Sequence, residues 1–142
     1  MNSIHNILTR KGHRAISVSP DTSVLDALKV MAENNIGSVV VKQDKKFLGI
    51  ITERDYSRKV ILKGKNSSDT KVSEIMATDF PDLKPSDTVE YCMELLTENN
   101  IRYLPVFEHG ALKGIISISD VVTETILVQQ QTISHLENYI RS

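Results

Sequence analysis

The sequence predicts an α+β fold: two β-α-β-β-α units packed as a pseudo-twofold pair, followed by a C-terminal helical tail. Three observations predict it. Residues 20–55 and 85–120 align without a gap at a constant offset of 65, with identities that include Pro20/Pro85, Val24/Val89, Glu33/Glu98, Asn34/Asn99, Asn35/Asn100, Ile36/Ile101 and Val41/Val106. Each copy closes on one phrase, Gly49-Ile50-Ile51-Thr52-Glu53-Arg54-Asp55 and then Gly114-Ile115-Ile116-Ser117-Ile118-Ser119-Asp120. A copy of about 60 residues buries only about 60% of its unfolded surface and is marginal alone, so two copies sharing a core are easier to stabilise. With two copies in 142 residues, a closed pair is expected rather than an open array. The expected organisation is a single module over 1–142, with the first unit at 7–65, the second at 72–128 and the tail at 129–142.

The elements follow in chain order. Val72-Ser73-Glu74-Ile75-Met76 resembles Ile4-His5-Asn6-Ile7-Leu8 at an offset of 68, so the repeat includes a short leading helix. About three extra residues then fall near Lys11-Gly12-His13. Ala15-Ile16-Ser17-Val18 alternates as a strand does and ends near Pro20. Asp21, Thr22 or Ser23 can cap the helix that follows. Val24, Ala27, Leu28 and Met31 share one helical face, as do Val89, Cys92, Met93 and Leu96 in the second copy. Asn34-Asn35 and Asn99-Asn100 end these helices, because asparagine tolerates left-handed backbone.

Gly37 to Val41 reads as a buried strand, Gln43 to Lys46 as a turn, and Phe47 to Ile51 as the antiparallel partner. The second hairpin is Tyr103 to Val106, a turn at His109-Gly110, and Leu112 to Ile116. Pro105 cannot donate to a ladder, so its strand is expected at an edge or a bulge. A helix is expected to start near Asp55 and near Asp120. Lys63 to Lys71 reads as a flexible surface linker. In the tail, Ile126, Ile133 and Ile140 are seven apart, with Leu136 at the intermediate heptad position. Ser134 and Glu137 have capping-box spacing, which predicts a break and restart near Thr132. The tail packs either on its own domain or against a second subunit.

Composition limits the function. The formal net charge is −1, against the basic face that general nucleic-acid binding needs. The charge is unevenly spread: residues 1–65 carry 12 Lys/Arg and 6 Asp/Glu, and residues 66–142 carry 5 and 12. Cys92, the lone cysteine, rules out an intrachain disulfide and is expected in the core. There is no cationic start followed by an apolar stretch, and no apolar run of membrane-spanning length, so a soluble cytoplasmic protein is expected.

The chemistry lies in the repeated phrase. Thr52 and Asp55, like Ser117 and Asp120, stand where a strand ends and a helix begins. A helix start exposes unpaired N–H groups and the positive end of its dipole, which suits phosphate. A hydroxyl there can donate to a phosphate or ribose oxygen, and a carboxylate one turn on can accept from a ribose diol. Gly49 and Gly114 permit close backbone approach nearby. The same spacing is also a helix-capping box, and the residues alone leave both readings open.

At these residues the sequence resembles a pair of CBS motifs, named for cystathionine β-synthase. The likeness rests on Ser17-Val18-Ser19-Pro20, Glu33-Asn34-Asn35-Ile36, Leu83-Lys84-Pro85, Asn100-Ile101-Arg102-Tyr103-Leu104-Pro105-Val106 and the two closing phrases, and it covers nearly the whole chain. It is similar to stand-alone bacterial CBS-pair proteins, whose fold is a Bateman module. The resemblance implies a regulatory module for an adenosine ligand: AMP, ADP, ATP, NAD or S-adenosylmethionine. It implies that the acid of each phrase holds the ribose diol. One pocket would use Thr52 and Asp55 with Leu83, Arg102, Tyr103, Leu104 and Pro105. The other would use Ser117 and Asp120, with Ser119 beside them, and Ile16, Val18, Gly37, Ser38 and Val39. It further implies a homodimer and a protein target acted on in trans.

The copies differ around the acids. Arg54, Arg58 and Lys59 surround Asp55, where the second copy has Ser119, Thr123 and Glu124. The first pocket is therefore expected to hold a di- or polyphosphate more strongly. Tyr103 could stack on adenine. The competing readings are a structural dimerisation module with degenerate pockets, an enzyme acting on an adenine nucleotide, and nucleic-acid binding through the basic half. The enzyme reading is weak: His5, His13, His109 and His135 show no paired metal spacing, and the dinucleotide-binding glycine fingerprint and P-loop are absent.

Overall fold

The computed structural model describes residues 2–12 and 15–141. His13, within the expected three-residue insertion, lies outside the described residues. The elements are α1 (Ile4–Lys11), β1 (Ser17–Val18), α2 (Val24–Asn34), β2 (Ser38–Gln43), β3 (Lys46–Thr52), α3 (Glu53–Tyr56) running into a π-helical turn (Ser57–Ile61), α4 (Val72–Ile75), α5 (Val89–Glu98), β4 (Tyr103–Glu108), β5 (Ala111–Ser117) and α6 (Ile118–Arg141). The α+β class and the paired repeat are as the sequence predicts.

The chain divides into two compact units. The first holds Ala15–Phe80, and the second combines the leading segment with the chain from Pro81 onward. Each copy is thus completed by the leading helix that the sequence places before the other. Ile4 donates its N–H to Asp87 O at 2.9 Å, and Val72 makes the corresponding bond to Thr22 O at 2.9 Å. Each short helix therefore starts on the turn that precedes a long one. Burial fixes this choice: Ile4, Ile7, Leu8 and Val72 are fully buried, and Ile75 nearly so. A four-residue helix has no stability of its own, so these packed side chains hold it.

In the first unit, Ser23 caps α2 by accepting from Asp26 N, and Asn35 closes it in the left-handed region at φ 52°. Val24, Ala27 and Met31 are buried against Val39, Val41, Ile51 and Val60, with Leu28 packed at the margin. β1 pairs parallel with β2, and β2 pairs antiparallel with β3, giving the order β1-β2-β3. Gly49 sits in β3 because nothing larger fits. A Cβ there would lie 2.5 Å from Ala77 O and 3.0 Å from Met76 Sδ. The close approach that this glycine permits is to the chain's own backbone, where Ile50 and Ala77 exchange hydrogen bonds.

In the second unit, Thr88 caps α5 by accepting from Tyr91 N, and Asn100 takes the left-handed turn at φ 51°. Cys92 is fully buried as expected, whereas Met93 is exposed and Leu95 takes its place on the buried face. His109 and Gly110 both have positive φ, as the tight primed hairpin turns require. β4 and β5 form a two-stranded sheet, so Pro105 lies on an edge strand, one residue before a register shift at Val106/Phe107. The strand expected before α5 is reduced to a single bond, Phe107 N to Leu83 O at 3.0 Å. Two prolines nearby, Pro81 and Pro85, lack the donors that a longer ladder needs.

Two expectations are corrected. Lys63 to Lys71 is not a free spacer. Thr70 is buried, its carbonyl accepts from Val24 N at 2.8 Å, and Ser67 O accepts from Leu25 N. Asn66 organises the turn by accepting from Ser68 N and Oγ. The loop thus supplies acceptors for the first N–H groups of α2. The tail does not break near Thr132. α6 is continuous, and Thr132 Oγ1 donates back to Val128 O within it. The tail does not pack on its own domain either, since residues 129–141 are all exposed.

Candidate functional site

Each closing phrase forms a polar corner at the end of a buried strand. Ile50 and Ile51 are almost wholly buried, so β3 is anchored and delivers Thr52 to the first turn of α3. Thr52 Oγ1 accepts from Asp55 N at 3.1 Å. Asp55 Oδ2 accepts from Thr52 N at 2.9 Å and from Thr52 Oγ1 at 3.0 Å. Lys59 Nζ lies 3.1 Å from Asp55 Oδ1 and donates to Ile75 O at 2.9 Å.

The second corner repeats the first. Ser117 N donates to Asp120 Oδ2 at 2.8 Å, and Asp120 N donates to Ser117 Oγ at 3.1 Å. Its cation comes from elsewhere in the chain: Lys11 Nζ, on α1, lies 2.7 Å from Asp120 Oδ2 and donates to Ile115 O at 2.8 Å. Glu124, which occupies the position of Lys59, turns inward and is nearly buried. Arg10 meets it at 3.1 Å, and the Asn2 amide also bonds it.

The capping reading of the phrase is therefore realised in both copies. It does not exhaust the acids. An ionised carboxylate offers about four lone-pair sites; Asp55 has three partners, Thr52 N, Thr52 Oγ1 and Lys59 Nζ, and Asp120 has two, Ser117 N and Lys11 Nζ. The resulting corner combines a hydroxyl, a carboxylate and a lysine ammonium at a helix start, which can receive a sugar diol and an anionic group.

The other predicted residues fall as follows. In the first unit, Ser38 stands opposite Thr52 in the ladder, and Gly37 O accepts from Glu53 N at 3.2 Å. Ile16 O accepts from Val40 N, and Val18 pairs with Val41. Val39 is buried and points to the core. Arg54 is half-buried and engaged, whereas Arg58 is exposed. In the second unit, Tyr103 stands opposite Ser117, and Arg102 O accepts from Ile118 N at 3.0 Å. Leu83, Leu104 and Pro105 are buried, so main chain is what they present. Ser119 is exposed on the first turn of α6. The strand starts Gly37-Ser38 and Arg102-Tyr103 thus each adjoin the closing phrase of their own unit.

Sequence reasoning missed Lys11 and Arg10. They supply the second corner with the cations that its own helix lacks, so the contrast drawn from Arg54, Arg58 and Lys59 is smaller than local sequence implies. The signal was the 68-residue offset of the leading helices against 65 for the rest. α1 runs eight residues where α4 runs four, and its last turn carries Lys11 to Asp120.

Cys92 takes no part. Burial first, then the negative charges of Asp120 and Asp87, push its thiol up to about 12. Among the described residues, no group of three His, Cys, Asp or Glu side chains is placed to hold a metal ion. No helix among them is long and apolar enough to cross a membrane.

Two copies of a fold with a polar corner closing each sheet define a tandem module of the CBS class, and comparison with known proteins agrees. The CBS domain model matches residues 5–61 and 72–126, and the chain belongs to that family. The mitochondrial CBS domain-containing protein CBSX3 of Arabidopsis thaliana is 34% identical over 98% of this chain and 72% of its own length. A putative signal-transduction protein with CBS domains from Burkholderia ambifaria is 40% identical, with a TM-score of 0.85 over 89% of this chain and 95% of that one. A CBS-domain containing protein from Agrobacterium tumefaciens is 37% identical, with a TM-score of 0.82 over 87% and 99%. These structural neighbours are stand-alone CBS-domain proteins, and pairs of such domains are typically regulatory modules for adenosine ligands.

Proposed function

We propose that this chain is a non-enzymatic sensor of an adenosine ligand, drawn from AMP, ADP, ATP, NAD and S-adenosylmethionine, that alters the affinity of a protein target in trans. The observation that carries the reading is the repeated corner: hydroxyl, carboxylate and lysine at the start of a helix, built twice. Asp55 and Asp120 are the proposed acceptors of the ribose diol, with Thr52 and Ser117 beside them. Arg54, Arg58 and Lys59 in the first unit, and Ser119 in the second, are proposed to face the phosphates or the rest of the ligand. Ile16, Val18, Gly37, Ser38 and Val39, and Leu83, Arg102, Tyr103, Leu104 and Pro105, are proposed to frame adenine through main chain and strand edges.

Binding shifts a conformational equilibrium only as far as the affinities for the two states differ. The lysines give that difference a physical basis, since a diol on Asp55 or Asp120 competes with Lys59 or Lys11 for carboxylate oxygens. Self-association into a homodimer or larger assembly is part of the reading. It draws support from the 30% identical CBS-CP12 protein of bloom-forming cyanobacteria, described as hexameric. The proposed setting is the cytoplasm, which suits a lone reduced thiol.

A second reading has an observation in its favour. Both acids are satisfied as caps, as they would be in a purely structural dimerisation module. Mass spectrometry of the supernatant from denatured, freshly purified protein separates the two. The sensor reading expects an adenosyl compound in near-stoichiometric amount, or its uptake after addition. Silence with all five ligands supports the structural reading.

A further inference from the structure

The last helix leaves an apolar stripe uncovered. The buried residues of α6 are Val121 and Glu124, both in its first two turns. Val122, Ile126, Ile133, Leu136 and Ile140 are all exposed, Ile133 by 55% and Ile140 by 80%. With Ile126, Ile133 and Ile140 at heptad position a, Val122, Gln129 and Leu136 fall at d. Such a seam, two residues in seven, is narrower than the face of a helix that packs on a globular core, and it is the pattern of a coiled coil. We propose that a second copy of this chain docks here, the two α6 helices pairing in parallel and in register over residues 122–140.

The residue types select this partner and this direction. Isoleucine at a with leucine at d favours two parallel strands; Ile126, Ile133 and Ile140 fill every a position, and Leu136 is the leucine at d, beside Val122 and Gln129. Gln129 is the one polar residue of the seam. In register it faces its own copy, and the two amides can bond donor to acceptor. In an antiparallel or shifted pair it meets an aliphatic side chain and its amide goes unpaired, at a cost. The flanking positions add no repulsion: Thr125 lies toward Gln130 of the other copy, and Thr132 toward Glu137. A membrane surface would ask for lysine and arginine along the polar face, and Arg141 is the only such residue in α6. A helical extension this short is marginal alone in water, so a partner stabilises it.

Cross-linking of the full chain tests the pairing. Cys92 is buried, so an engineered surface thiol is the one that reacts. Gln129→Cys and Leu136→Cys, oxidised at micromolar concentration, are expected to give disulfide-linked dimers with at least tenfold the yield of the outward control Gln131→Cys. Adding Ile133→Asp is expected to lower that yield at least tenfold. Equal yields at seam and control positions, or yields unchanged by Ile133→Asp, overturn the proposal. Preferential linkage of Val122→Cys to Ile140→Cys in a mixture of the two variants marks an antiparallel pair and overturns it too. So does binding of the chain to anionic vesicles with no self-linkage. None of these readouts depends on a nucleotide.

Discussion

Lys11 Nζ stands 2.7 Å from Asp120 Oδ2, across 109 residues of sequence. The matching acid, Asp55, is met at 3.1 Å by Lys59, one helical turn away. The same charge thus reaches the same place by two routes, and the long route ties the leading helix to the second corner. Exposed i,i+4 pairs contribute about 0.3–0.5 kcal/mol, and half-exposed tertiary pairs somewhat more, up to about 1 kcal/mol. Lys11→Met is expected to cost about 1 kcal/mol in urea unfolding and Lys59→Met about half of that. The reverse order would mean that α1 is held by packing alone.

Asp55 has two roles that substitution can separate. Asp55→Ala removes the cap acceptor and is expected to cost about 1 kcal/mol of stability. Asp55→Asn keeps an oxygen for Thr52 N–H and is expected to cost less. Both are expected to weaken an adenosyl ligand at that corner at least tenfold, because an amide lacks the charge that strengthens a diol bond. An Asn variant that binds as wild type while the Ala variant fails to fold would assign the acid to capping only.

Gly49 makes a packing prediction with no ligand involved. A Cβ there meets Ala77 O at 2.5 Å, and that oxygen accepts from Ile50 N while Ala77 N donates to Ile50 O. Gly49→Ala is expected to destabilise by about 1–3 kcal/mol, as overpacking does. Thermal unfolding within experimental error of wild type would show that the Ala77 segment moves aside freely.

Cys92 predicts a pH dependence. Its thiol is raised from an ordinary 9.0 to about 12 in the folded protein by burial and by the charges of Asp120 and Asp87. Between those values the unfolded chain has lost the proton that the folded chain keeps, so stability falls as pH rises. The contribution is fully present below pH 9 and is lost toward pH 12. Cys92→Ala is expected to flatten that limb of the stability–pH curve. The native thiol is expected to resist a disulfide reagent at pH 8 and to react once urea unfolds the chain. Rapid native labelling would place Cys92 at the surface.

Much of the fold was legible because the chain repeats itself. Periodicity placed α2, α5 and both hairpins, and the asparagines and His109-Gly110 marked turns that need positive φ. What was not legible depends on tertiary geometry. The exchange of leading helices leaves no local trace except the differing offsets. The Lys63–Lys71 segment reads as a spacer by composition, yet its carbonyls are used by α2. Ser134 and Glu137 have the spacing of a cap, but the helix running through them satisfies the backbone without one. At the corners, the acids and hydroxyls could be named from the sequence. Lys11 could not, because only folding brings α1 to Asp120.

Asp55 and Asp120 are proposed to hold an adenosyl ligand. Titration calorimetry of the full chain against AMP, ADP, ATP, NAD and S-adenosylmethionine tests this most directly, alongside Asp55→Ala, Asp120→Ala and the double variant. At least one ligand is expected to bind the wild type, each single variant to lose its own corner, and the double variant to give no heat. Unchanged binding by a folded double variant would mean that neither carboxylate holds the ligand.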